Sequence, residues 1–158
     1  MATVIEDSRQ KEGKHQLKHI GFEDLGVDLL RCKLPFGDYA LPPSVSVDTK
    51  ENLEEIAGNL CGSTKERNRF IRECKAAAAA GCQLVIMVET EHEGSLLDLG
   101  AIRIGNGMTV TGMQLHRAMT TVAGRYGVRF VLVRPEDAAK EIVKILEEGR
   151  TWQRKDHT

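Results

Sequence analysis

Apolar and polar positions along the chain change period several times, and each change marks an element. Thr3 to Ile5 is a short β-prone run that ends at Asp7. Lys14 to Leu25 sets Leu17, Ile20 and Phe22 at near-helical intervals. Val27 to Leu34 alternates Leu30, Cys32 and Leu34 against Leu29, Arg31 and Lys33, the period of a strand. Phe36 to Lys50 reads as a β-hairpin turning through Pro42-Pro43. Leu53 to Leu60 is a short helix. Ser63 or Thr64 caps a longer one that runs to Ala80, with Gly81 past its end. Phe70, Cys74 and Ala77 form its apolar stripe, and Lys65, Arg69 and Arg72 share the opposite side. Gln83 to Val88 is continuously apolar, as in a strand buried on both faces. Glu91 to Gly112, with five glycines and the turn signal Gly105-Asn106-Gly107, reads as a loop or lid. Thr111 to Tyr126 is a helix with Leu115, Met119 and Val122 inside. Val128 to Val133 is another buried strand, and Pro135 opens a last helix carrying Ala138, Ile142, Ile145 and Leu146. The order predicts an α/β fold: a mixed central sheet with helices on both faces and an antiparallel portion near its start.

The hairpin holds the chemistry. In Val45 to Lys50, Val45, Val47 and Thr49 point to one face, while Ser46, Asp48 and Lys50 point to the other. Asp48 and Lys50 therefore emerge side by side, about 6.6 Å apart at ~3.3 Å per residue. The expectation is that the valines bury and the charged pair sits at the rim of the sheet. Asp38 lies on the preceding strand, after a glycine that permits a bend or a close backbone approach. Strand pairing brings it to the neighbourhood of Asp48. Two neighbouring carboxylates repel, and a divalent cation is the natural compensation. With a lysine beside them, they form the minimum kit for metal-dependent phosphodiester cleavage.

Bulk properties narrow the classes. The 158 residues are enough for one domain with a substantial core, read as residues 1–149 followed by a loose tail from 150 to 158. No apolar run approaches the ~20 residues of a membrane helix, and the charged N-terminus shows no signal peptide, which points to an intracellular, cytoplasmic chain. Cys32, Cys61, Cys74 and Cys82 show no zinc-type spacing and read as free thiols. His15 and His19 stand at i, i+4, a spacing that suits zinc, but no third ligand is evident. A net charge of −1 excludes a basic DNA-coating module. Between Lys65 and Lys75, however, five basic residues stand against two acidic ones, and the acids gather elsewhere. No Gly-Lys-Ser/Thr follows the glycine-rich stretch, so it lacks the context of a phosphate-binding loop. Trp152 in the tail is either a packing anchor or a base-stacking residue.

Gly37-Asp38, a gap, Asp48-Thr49-Lys50 and then Glu54 resemble the motif of the XPF-type structure-specific endonucleases, a branch of the PD-(D/E)xK nuclease superfamily. That family writes it Gly-Asp, a gap, Glu-Arg-Lys, three residues, Asp. Val4 to Arg9 resembles its opening strand, which ends Asp-x-Arg-Glu. Arg67-Asn68-Arg69-Phe70 with Glu73 resembles its basic helix, and Leu84 to Glu89 its next core strand. The similarity runs from about Thr3 to Gly149 and looks most like small single-domain members from phages and prophages. This chain departs at three places: Gln10 replaces the acid after Asp-x-Arg, Asp48 replaces Glu, and Thr49 replaces Arg.

The resemblance implies a restriction-endonuclease-like core and a Mg²⁺- or Mn²⁺-dependent endodeoxyribonuclease acting on branched, repair or recombination DNA. Asp38, Asp48 and Lys50 are its expected catalytic residues. Asp7, Asp38, Asp48 and the Thr49 carbonyl are the expected metal ligands, supported by Arg9, Glu54 and Glu89. Lys65, Arg67, Arg69 and Arg72 are candidates for phosphate contacts. The sequence contains no helix-hairpin-helix module, so DNA must be held by the chain's own face, a homodimer or a partner protein. The departures at Gln10 and Thr49 leave a second reading: a catalytically weakened DNA-binding or scaffold subunit.

Overall fold

The computed structural model describes residues 3–155 except 12, 35, 36 and 42–44, and only the backbone at 3, 41, 106 and 150–155. Strand β1 (Thr3–Asp7) leads to helix α1 (Gln16–Asp24) and strand β2 (Asp28–Cys32). Strands β3 (Tyr39–Leu41) and β4 (Val45–Lys50) follow, then helices α2 (Leu53–Cys61) and α3 (Thr64–Ala79). The chain continues through β5 (Gln83–Glu89), β6 (Ala101–Arg103), β7 (Thr109–Thr111), α4 (Gly112–Tyr126), β8 (Arg129–Val133) and α5 (Ala138–Lys155).

Six strands form one sheet in the order β2-β1-β3-β4-β5-β8. β3 is antiparallel to both β1 and β4, and the other pairs are parallel. The sheet is mixed, as the order of elements predicts. The turn expected at Pro42-Pro43 lies outside the described residues.

Two apolar layers cover the sheet. Leu84, Ile86 and Val88 of β5 join α2, α3 and α4 through Ile56, Phe70, Cys74, Leu115, Met119 and Val122. Val85 and Met87 join Val4, Val45 and Val47 beneath α1 and α5, with Phe22, Ile142, Ile145 and Leu146. β5 thus buries alternate residues in opposite layers, which explains its unbroken apolar run. Ser63 caps α3 by accepting the Glu66 amide, as its position suggests.

The 91–112 stretch is more structured than the expected loop. A 3₁₀ turn at Leu96–Asp98 precedes the two-stranded antiparallel ribbon β6–β7. Ile102, Ile104 and Val110 bury against the α2–α4 layer. The glycines concealed this alternation, because each apolar run is only a few residues long. Pro135 opens a 3₁₀ turn ahead of α5 rather than the helix itself. α5 continues to Lys155, into the segment expected to be a loose tail. The Trp152 side chain and His157 lie outside what is described. No helix is long and apolar enough to cross a membrane among the described residues.

Candidate active site

Alternation along β4 places Val45 and Val47 in the α1–α5 layer and turns Asp48 and Lys50 toward α2 and α3. The charged pair is not at a rim: every residue of β4 is buried, with Asp48 7% and Lys50 9% exposed. β3 and β5 flank β4 on both sides, so only the α3 side is open to these groups. Lys50 Nζ lies 2.8 Å from Asp48 Oδ2 and 5.7 Å from the centre of the Phe70 ring. Asp48 Oδ2 is buried with that ammonium as its one close partner among the described residues.

Asp38 is held to this point by backbone and side chain together. Its N–H donates to Val47 O at 2.8 Å, and its carbonyl accepts the Asp7 N–H at 2.7 Å. Its Oδ2 accepts both the Thr49 N–H and the Thr49 hydroxyl at 2.7 Å. Thr49, whose carbonyl is the expected ligand, fixes Asp38 through its N–H and hydroxyl. Gln10 donates its side-chain amide to the other oxygen of Asp38. Gly37 makes the approach possible. Its φ is +75°, and a Cβ there would collide with Ser46 Oγ. Its N–H donates to Glu73 Oε1 at 2.9 Å, which ties the bend to α3.

Burial raises the pKa of Asp38 against the hydrogen bonds from Thr49 and the charge of Lys50. Burial, with Asp38 adding repulsion, pushes Asp48 up to about 6 although Lys50 opposes the shift. Burial and the Asp48 charge also raise Glu73. Burial lowers the pKa of Lys50, but the charge and hydrogen bond of Asp48 together with the charges of Glu55 and Glu73 raise it on balance. Three carboxyl groups with raised pKa values therefore surround one lysine, the pattern of a site that disfavours uncompensated negative charge.

The remaining expected residues are distributed unevenly. Asp7 is buried, but its carboxylate accepts from Arg9 Nε at 2.9 Å and from the Leu34 amide at 3.1 Å. Arg9 also donates to Leu34 O at 2.6 Å. Asp7 and Arg9 thus fasten the end of β1 to the chain after β2. Among the described residues, no group of three or more His, Cys, Asp or Glu side chains is arranged to hold a metal ion. Asp7, expected as a ligand with Asp38 and Asp48, is held here by Arg9 and Leu34. Glu54 is exposed on the first turn of α2. Its neighbour Glu55 acts electrostatically on Asp48 and Lys50 instead. Glu89 lies on the opposite face of the sheet, where its Oε2 accepts from buried Lys18 at 2.7 Å. β5 alternation decides this, since Glu89 follows Val85 and Met87 into the α1–α5 layer. Lys65, Arg67, Arg69 and Arg72 are all exposed on α3.

Sequence reasoning marked Gln10 only as a departure from the motif, placed Glu73 only in the basic helix, and gave Glu55 no part. Helical spacing offered a signal for Glu73, one turn from Arg69 and Phe70. Nothing local marked Gln10 as the partner of Asp38, which it reaches across 28 residues.

The fold is similar to two solved structures of XPF from Aeropyrum pernix, one of them in complex with DNA. The first is 22% identical with a TM-score of 0.66, covering 93% of this chain and 61% of that one. The DNA complex is 21% identical with a TM-score of 0.66, covering 94% of this chain and 65% of that one. The chain therefore spans less than two thirds of the XPF chains it matches. At this identity the likeness establishes the α/β fold. No family model matches the sequence, and no curated protein does.

Proposed function

We propose that this chain is an XPF-type, divalent-cation-dependent endodeoxyribonuclease acting on branched repair or recombination DNA. The observation that carries the reading is the meeting of the buried Asp38 and Asp48 carboxylates beside Lys50, the one close partner of Asp48 Oδ2 among the described residues. Burying both carboxylates has a cost in free energy, seen in their raised pKa values. A cation ligated there offsets that cost. Mg²⁺ commonly takes only one or two carboxylates, completing its shell with waters and substrate phosphate oxygens, so Asp38 and Asp48 fit it. Bound at this point, the cation supplies charge for the phosphate and a more acidic water.

The chain's own residues do the rest. Asp38 is pre-positioned by Thr49, so ligation requires it to exchange only the Gln10 amide. Lys50, released from Asp48 by a competing cation, keeps its charge in a poorly solvated site. There it stabilises negative charge developing on the phosphate. Lys65, Arg67, Arg69 and Arg72 supply phosphate contacts along α3, the helix that Glu73 ties to the Gly37 bend. A second copy of the chain or a protein partner adds DNA affinity.

A second reading has its own support. The Gln10 amide on Asp38 and the Lys50 ammonium by Asp48 balance both carboxylates without any metal. A DNA-binding or scaffold subunit with a weakened site fits that arrangement. Purified chain incubated with branched, flapped and linear duplexes in Mg²⁺ or Mn²⁺ separates the two. Cleavage abolished by EDTA and by Asp48→Asn supports the enzyme. DNA binding with no cleavage above the Asp48→Asn background supports the subunit.

A further inference from the structure

Glu73 enters the candidate site from α3, yet it is neither an expected metal ligand nor a phosphate contact. Phe70 and Cys74 bury in the α2–α4 layer and fix the helix against the sheet. Glu73 lies on the flank of that stripe, half-buried, one turn from Phe70. Asp48, Lys50 and Arg9 all act on its charge, which sets it beside the site. Its Oε1 accepts the Gly37 N–H at 2.9 Å.

That bond falls on a constrained turn. Gly37 is buried with φ at +75°, a left-handed conformation that L side chains rarely adopt. It precedes β3 and lies outside the strand ladder. A buried backbone N–H needs an acceptor, and among the described residues Glu73 supplies it from the helix. The ladder bond beside it belongs to Asp38, whose N–H donates to Val47 O at 2.8 Å.

Asp38 begins where this bend ends. Its Oδ2 accepts the Thr49 N–H and the Thr49 hydroxyl, both at 2.7 Å. Hydrogen bonds this short tolerate little displacement or rotation of the acceptor. A change at Gly37 therefore alters how the Asp38 carboxylate meets Thr49.

We infer that Glu73 is a positioning residue: by holding the Gly37 N–H, it locks the left-handed bend that aims the Asp38 carboxylate at Thr49 and toward Asp48. What it contributes is an acceptor at the right reach, not its negative charge. The functional consequence rests on reading Asp38 as a cation ligand, whereas the aim of Asp38 rests on the contacts themselves. The helix that offers Arg69 and Arg72 to phosphates thus also sets the geometry of a carboxylate in the site.

Two substitutions separate reach from charge. Glu73→Gln keeps an acceptor of the same length and loses the charge. Glu73→Asp keeps the charge and withdraws the acceptor by one methylene. Amide ¹H–¹⁵N spectra of the whole chain without metal report the Gly37 and Thr49 N–H groups directly. Glu73→Asp should move both amide protons upfield as their hydrogen bonds lengthen, and Glu73→Gln should leave Thr49 near its parent position. Mn²⁺ affinity should fall about three- to tenfold in Glu73→Asp, the equivalent of one net hydrogen bond, and stay within about twofold of the parent in Glu73→Gln. A parent chain that binds no Mn²⁺ would overturn the cation reading alone, and the Thr49 amide would then decide the positioning. A Thr49 amide unmoved in Glu73→Asp, or Glu73→Gln losing as much Mn²⁺ affinity as Glu73→Asp, would overturn the inference.

Discussion

Lys50 Nζ lies 2.8 Å from Asp48 Oδ2, with both side chains about nine-tenths buried. Two charges this deep depend on each other. Removing one leaves the other uncompensated, at a cost of about 3–5 kcal/mol, whereas replacing both with neutral groups of similar size is far milder. Lys50→Met should therefore destabilise the fold strongly, and adding Asp48→Asn should recover much of the loss. Chemical denaturation of the two single variants and the double variant measures this coupling. Additive losses would show that the pair does not act as a unit.

Asp48 should make stability fall as pH rises from about 4 to about 6. Its folded pKa of about 6 lies above the ordinary value of 3.8. In that window the folded state holds a proton that the unfolded state has released. The contribution is on the order of 2–3 kcal/mol, and Asp48→Asn should flatten the slope. By the same competition, Mn²⁺ should raise the melting temperature at pH 7.5 and have little effect at pH 5. Equal stabilisation at both pH values would remove Asp48 from the ligand set.

His15 should act in the opposite direction. Burial, helped by Lys18 and Lys14, lowers its pKa from 6.5 to about 4. Below pH 6.5 the unfolded state takes up a proton that the folded state refuses until about pH 4. Stability is fully present above 6.5 and is lost as pH falls through that window, by on the order of 1–3 kcal/mol. Urea midpoints from pH 7 to 4 should decline less steeply in His15→Gln than in the parent chain.

Gln10→Glu tests what the glutamine does at Asp38. The substitution removes the amide donor and adds a carboxylate beside two others. Without metal it should lower the melting temperature by several degrees, through like-charge repulsion in a buried site. With Mg²⁺ it should recover that loss and tighten cation binding. A variant equally destabilised with and without Mg²⁺ would argue that no cation binds at Asp38.

The exposed arginines on α3 bear on DNA alone. Arg69→Ala with Arg72→Ala should weaken duplex binding and reduce the slope of log K against log salt by about 0.9 for each phosphate that is no longer neutralised. An unchanged slope would identify this face as ordinary solvated surface.

Residue order by itself determined the elements that repeat strongly and the faces they bury. The 3.6 period of Phe70, Cys74 and Ala77 reflects packing into one layer, and the unbroken run of β5 reflects packing into two, both of which a local pattern encodes. The alternation in β4 likewise placed Asp48 and Lys50 on one face. The pairing of β3 with β4 then brought Asp38 to them, by hydrogen bonds to Val47 and Thr49. Tertiary structure alone decided how deep these groups lie, because burial of β4 depends on β3, β5 and α3 closing around it. It also decided that Asp7 serves Arg9 and Leu34, that Glu89 crosses to Lys18, and that Gln10 reaches Asp38. Each of these partnerships joins segments distant along the chain or chooses one face of a strand over the other. Neither choice leaves a signature in neighbouring residues, which is why the motif was legible in the sequence while the network around it was not.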